Sequence, residues 1–307
     1  MEQGDSFRPE FVGAIENMKE LLNISLRNNP HLKIPFLAMS ATFRIPEQIA
    51  FNTLIGREPD LVNWGPMDKR NVGIHVQIAG DPLHLLMKDW MAHMNKDPSA
   101  QSLLYSNSAK ACDETLLNKL EAACKTMPAS IRETLDGTAK EFLALTGECG
   151  VMLKSYLMAA YCGEEGIIDF DFPFVWCMPC TSAANCGVSS KRCTKCYRYG
   201  PCPNWQDLVQ EMGRVDRLHR ATRGTNAYYL YLNVVTFLSL WVRANHEQNE
   251  KVRHRYVDQL MEVLRFLVLP NKCYHEAIEE HFENPSTNQS RGGCGGMCCR
   301  TTRRSRC

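Results

Sequence analysis

Gln210, Arg214 and Arg217 stand four and three residues apart in the segment RYGPCPNWQDLVQEMGRVDR, residues 198–217. On a helix that spacing places them in one angular sector. Two fixed guanidinium groups beside an amide, at the mouth of a loop, suit a polyphosphate whose charge must be neutralised as a phosphoryl group transfers. Without its neighbours the same face is an ordinary solvated one. The helix that would carry it follows a Pro-punctuated loop, with Asn204 as N-cap and Asp207 in the first turn, where the dipole favours an acid. Trp205, Leu208, Val209 and Met212 recur at helical spacing and form its apolar stripe.

Fifteen cysteines offer a second chemistry. The opening residues MEQGDSFRPEF contain no apolar signal core, so the thiols are expected to be reduced, as metal ligands or core side chains. One cluster is Cys177, Cys180, Cys186, Cys193, Cys196 and Cys202; the other is Cys273, Cys294, Cys298, Cys299 and Cys307. The first contains two C-x-x-C pairs, but on buried strands alternate side chains face opposite ways and behave as small hydrophobes. The second sets Cys273 at the start of a helix and the rest in a Gly-rich loop. Tetrahedral thiolate coordination uses such a rigid element with a flexible loop folding back on it. Neighbouring Cys298 and Cys299 diverge, so Cys307, His275 or His281 are alternatives for the last ligand.

These residues need elements to position them. The 307 residues are 44% hydrophobic and 22% charged, as in ordinary soluble globular proteins, and the net charge of +1 gives no global attraction to nucleic acid. The longest apolar run, 228–242, is broken by Asn233, Thr236 and Ser239 and falls short of a membrane span, so no membrane partner is expected. Periodicity predicts a helix over 12–28, a strand over 34–42 and a helix over 46–54. A strand over 72–78, a helix over 82–95, a strand over 101–107 and a helix over 111–125 follow. That alternation predicts an α/β layered domain with parallel strands. Further on, 141–145, 174–178 and 196–199 read as strands and 151–161 as a helix. After 220 the pattern turns mostly helical, notably over 256–267 and 274–282. The tail from 283, with arginines at 300, 303, 304 and 306, reads as poorly ordered, either solvated or contacting phosphates nonspecifically.

Five segments occur in one order: FRPEF (7–11), SAT (40–42), LLYSNSAKACDET (103–115), TSAANCGVSSK (181–191) and QEMGRVDR (210–217). In that order they resemble motifs of the RecQ-like superfamily 2 helicases. The resemblance implies an α/β fold: a RecA-like helicase C-terminal lobe with a parallel sheet, followed by a mostly helical zinc-binding subdomain. It divides the chain into a first-lobe remnant (1–60), the second lobe (61–224) and the zinc subdomain with its basic tail (225–307). Ser40 and Thr42 would couple the nucleotide site to the nucleic-acid loops. The strand at 103–108 would open the second lobe. Thr181, Asn185 and Gly187 would contact the nucleic-acid backbone and relay nucleotide state. Arg217 would be the finger on the γ-phosphate, with Arg214 and Gln210 supporting it. A Cys₄ zinc site would use Cys273, Cys294, Cys298 and Cys299.

The implied activity is ATP-dependent 3′–5′ unwinding of single-stranded or forked DNA, in the nucleus. The chain departs from the family where GRVDR replaces GRAGR and where Ser189 stands at a usual Asp. It contains no G-x-x-x-x-G-K-[ST] loop and no DEAH-type acid pair, which in the family lie upstream of FRPEF. ATP and Mg²⁺ would therefore be shared with a separate N-terminal helicase lobe, and this chain is not expected to hydrolyse ATP alone. Two other readings remain: a noncatalytic zinc-dependent nucleic-acid-binding module, with both cysteine clusters metallated, and a decayed helicase copy.

Overall fold

Strands buried on both faces of a parallel sheet read as continuous apolar runs rather than alternating ones. QSLLYS and CMPC meet that description in the computed structural model, where every residue of both segments is buried. The structure describes residues 9–29, 72–129, 143–162, 175–185, 187–190, 192–215, 226–268 and 273–282, with single positions 31, 49, 52, 53, 56 and 131. Two compact units divide the chain, Met1–Met67 with Ile278–Arg291 and Asp68–Ala277 with Gly292–Cys307. In the first unit α1 (Pro9–Asn28) is an amphipathic helix whose described side chains include the exposed Leu21 and Ile24. The strand expected over 34–42 lies outside the described residues.

The second unit holds a sheet of five strands: β1 (Gly73–Ile78), β2 (Gln101–Ser106), β3 (Cys177–Cys180), β4 (Cys193–Tyr199) and β5 (Ala227–Leu232). Their order is β1-β5-β4-β2-β3 and every neighbouring pair is parallel, as strand–helix alternation requires. The helices are α2 (Pro82–Lys96), α3 (Leu117–Thr126), α4 (Val151–Cys162), α5 (Trp205–Met212), α6 (Val234–Asn245), α7 (Glu250–Leu267) and α8 (Tyr274–His281). A π-helical stretch, Ala111–Leu116, leads into α3 where a plain helix was expected.

Several expectations meet differences. Of the strand expected over 141–145, residues 141 and 142 lie outside the described residues, and Leu145 makes a single parallel bridge to Cys180. The apolar run 228–242 is two elements, because the Asn233 side chain caps α6 by accepting from Thr236 N–H and ends the strand there. Strand β5 therefore belongs to the sheet, although the helical region was expected to start at 225, and β2 is the second strand rather than the first.

One face of the sheet packs against α2 and α3. Leu104, Tyr197 and Tyr231 meet Leu86, Trp90, Met94 and Leu120 in one buried cluster, and Trp90 Nε1 donates to Ser102 Oγ at 3.1 Å. Rings stack across three strands here, His75 on Tyr229 at 4.7 Å and Tyr229 on Tyr197 at 5.3 Å. The opposite face meets α4 and α5. At its start β4 carries one residue more than β2, since Gln101 pairs with Cys193 but Ser102 with Lys195. The extra residue, Thr194, returns Cys193 to the same face as Cys196.

Candidate nucleotide and nucleic-acid interface

In open parallel sheets, ligands bind at the carboxyl ends of strands where the winding reverses. Strand β2 leads on to its neighbour β3, whereas β4 leads to β5 on its other side. The reversal thus lies between β2 and β4, and the segments beyond their carboxyl ends are 107–110 and 200–204. The loop 181–190 follows β3 beside them. Gly200 turns the chain there at φ 89°, with Thr236 of α6 3.5 Å from where a Cβ would stand.

Asn204 caps α5 as expected, accepting from Asp207 N–H at 2.7 Å. The helix ends at Met212, earlier than the spacing of Gln210, Arg214 and Arg217 requires. Gly213 is the C-cap, and Arg214 N–H and Val215 N–H reach back only three residues, to Glu211 and Met212 at 3.0 and 3.1 Å. Arg214 therefore leaves the helix instead of sharing a face with Gln210, which stays half-buried on α5. Its guanidinium donates to the Val188 carbonyl at 2.9 Å and to that of Asn185. Both acceptors belong to the loop 181–190, so Arg214 braces that loop. Arg217 lies outside the described residues, as do Ser40 and Thr42.

The braced loop begins with a 3-10 turn, Ser182–Asn185, opened by Thr181, whose Oγ1 accepts from Ala183 N–H at 3.4 Å. Gly187 adopts φ 88°, and a Cβ there would lie 3.1 Å from Met158 Sδ, so only glycine fits without strain. Asn185 Nδ2 donates to Asp207 Oδ1 at 3.0 Å, tying the loop to the first turn of α5. Ser190 Oγ bonds Gln101 Oε1 at the start of β2, which closes the loop.

A buried charged network, missed in the sequence, supports this edge. Arg198 of β4 pairs with Glu211 of α5, at 2% and 0% exposure. Its Nη2 donates to Asn107 Oδ1 and, at 3.2 Å, to the Pro201 carbonyl. The Tyr228 hydroxyl of β5 donates to Glu211 Oε2 at 2.5 Å. Burial pushes the Glu211 carboxyl up to about 7, against the pull of Arg198 and of the Tyr228 hydroxyl. Glu211 thereby takes a place on the buried face of α5, next to Leu208 and Met212, while Val209 is only half-buried. An acid inside an apolar stripe, matched by a lone arginine in the strand CTKCYRY, is the signal that marked it.

Among the described residues Cys112, Cys177, Cys180, Cys193, Cys196 and Cys202 are buried and serve as core. Burial pushes the Cys112 and Cys177 thiols up to about 12, so they stay neutral. A hydrogen bond from Cys196 lowers Cys193, the two being on one face because of the extra residue in β4. Cys177 lies on the other face, in the cluster with Trp90. Among the described residues no group of three or more His, Cys, Asp and Glu side chains is placed to hold a metal ion. Cys273 directly precedes α8 rather than lying on it, and Cys294, Cys298 and Cys299 lie outside the described residues. His275, expected at a helix surface, is buried. Trp205 is core, its ring 4.3 Å from that of Phe266. No helix among the described residues is long and apolar enough to cross a membrane.

No family model matches the chain, and no curated protein does. Its fold is similar to that of solved helicase structures. The helicase Lhr of Mycobacterium smegmatis, bound to ssDNA and AMP-PNP, matches at 13% identity and a TM-score of 0.46, over 78% of this chain and 31% of Lhr. S. cerevisiae Dbp5, bound to RNA and ADP BeF3, matches at 11% identity and a TM-score of 0.47, over 72% of this chain and 48% of Dbp5. A chain of the structure of E. coli DEAD-box protein SrmB bound to RraA matches at 15% identity and a TM-score of 0.38, over 58% of this chain and 86% of that one. The chain thus spans about a third of Lhr and half of Dbp5. The α/β fold and its parallel sheet stand on the chain's own strand order.

Proposed function

We propose that this chain acts as the second motor lobe of a superfamily 2 nucleic-acid motor, of the RecQ-like 3′–5′ DNA type. One observation carries the reading: Arg214, just beyond α5, holds two carbonyls of the loop 181–190 at the carboxyl edge of the sheet. Two segments far apart in sequence, each with the residues of a helicase motif, are thereby joined at the place where open parallel sheets bind ligands. In this role the loop 181–190 lies along the nucleic-acid backbone, with Thr181 as its polar contact and Asn185, buried and bonded to Asp207, as the relay to α5. Arg214 transmits loop position to the segment that carries Arg217. Arg217 reaches a triphosphate and its Mg²⁺ held by a separate first lobe, neutralising charge that grows on the γ-phosphate.

The test joins the chain to a first lobe that carries a phosphate loop and magnesium-binding acids. Arg217→Ala is expected to cut ATP turnover by about 10³-fold or more, the usual effect of losing an arginine finger. Affinity for a single-stranded DNA oligonucleotide should stay unchanged. Retained turnover removes Arg217 from the role, and equal affinity for RNA and DNA oligonucleotides removes the DNA-specific part.

A further inference from the structure

We propose that Arg198 is the positioning residue that holds the loops at the carboxyl edge of the sheet in one register, a role that stands apart from the function proposed above. The guanidinium bonds three separate segments at once. Nη1 meets Glu211 in the last turn of α5, and Nη2 meets Asn107 beyond β2 and the Pro201 carbonyl beyond β4. Each of these is tied onward. Asn107 Nδ2 also donates to the Pro201 carbonyl at 2.7 Å, and the Asn107 carbonyl accepts from Arg243 of α6 at 3.0 Å. Glu211 takes the Tyr228 hydroxyl from β5, and its own carbonyl accepts Arg214 N–H at 3.0 Å. From that turn Arg214 reaches the loop 181–190. A path of hydrogen bonds therefore runs from the loop after β2, through Arg198 and Glu211, to the loop after β3.

Chemistry explains why arginine stands here. Its planar fork can satisfy a carboxylate and an amide oxygen together, whereas a lysine ammonium is a single point of charge. With Arg198 at 2% exposure and Glu211 at 0%, no water replaces a lost partner. Buried ion pairs add little net stability against a well-packed apolar replacement. Held at the reversal point of the sheet, this one gives geometry.

Arg198→Lys in the full 307-residue chain tests the role. Amide hydrogen exchange at 107–110 and 181–190 should quicken about tenfold, the loss of about one hydrogen bond to a charged group, while β2 and β5 exchange as before. Unchanged loop exchange in the folded variant overturns the proposal. A second measurement covers the case in which the variant fails to fold. Asn107→Ala, at a half-buried position, removes the amide oxygen that receives Arg198, and exchange should quicken at 181–190 as well as at 107–110; exchange unchanged at 181–190 overturns the proposal. Affinity for a labelled oligo-dT separates the two claims. Wild-type chain that fails to bind it overturns the motor reading, while loop exchange still judges Arg198.

Discussion

Tyr197 and Arg198 are neighbours on β4 and face opposite sides of one sheet. Tyr197 enters an apolar layer with Trp90, Leu104 and Tyr231, where aromatic rings stack from His75 across to β4. Arg198 enters a polar cluster with Glu211, Tyr228 and the half-buried Asn107, set within buried apolar side chains such as Leu208 and Met212. Apolar packing is nondirectional and proportional to area, so the first face sets how stable the unit is. Hydrogen bonds to a guanidinium fork are directional, so the second sets where loops stand. The face with loops to position is the one that carries the buried charges.

The contrast is broken most strongly by Trp90→Ala. Truncating a tryptophan at 1% exposure should cost about 3–5 kcal/mol, and it removes the indole donor to the Ser102 hydroxyl. Urea unfolding should show the loss, and hydrogen exchange should rise across the whole sheet rather than in the loops. A loss confined to 181–190 would refute the division of labour.

Acid sharpens the comparison, because the two faces respond with opposite sign. Glu211 sits at about 7 in the fold, above the usual carboxylate, so the native chain holds the extra proton and stability falls as pH rises from about 4.5 to 7. His93, bonded to the Tyr197 hydroxyl at 3.2 Å on the apolar face, is lowered to about 4, chiefly by burial and next by Lys195. The unfolded chain then binds the proton first, and stability falls as pH drops from about 6.5 to 4. Unfolding free energies measured across pH 4–8 should be flatter in the wild type than in either variant. Glu211→Gln should leave only the acid loss, and His93→Asn only the gain on acidification.

The smallest expected effect is that of Tyr228→Phe. It removes one hydrogen bond to a charged acceptor, worth about 1.5 kcal/mol, and leaves ring packing intact. The Glu211 carboxyl should rise further, moving the stability profile to higher pH. An unchanged profile would mean that the hydroxyl does not govern Glu211.

The strands and helices from 72 to 126 were legible because their periodicity agrees with local signals, such as Asp81 and Pro82 at the start of α2. Asn233 was visible as an interruption of the apolar run, but that it ends a strand and caps a helix was not. Val209 was assigned to the buried stripe of α5, and Glu211 to no role. Apolar spacing cannot show that an arginine waits across on β4. The C-x-x-C pairs are core as expected, and Cys177 and Cys180 face opposite ways, but Cys193 and Cys196 do not. One extra residue, Thr194, changes which thiols share a face, and nothing in CTKC marks it.

By itself the sequence determined the α/β alternation, the parallel strands, the cap of α5 and the glycine in the loop 181–190. Each depends on residues close together in the chain, whose propensities and hydrogen bonds are local. Only the tertiary structure decided that Arg214 leaves its helix to brace a loop some 26 residues earlier, and that Arg198 and Glu211 bury their charges together. Those choices rest on partners brought close by strand order, and a buried charge is tolerable only where the fold supplies its counter-charge.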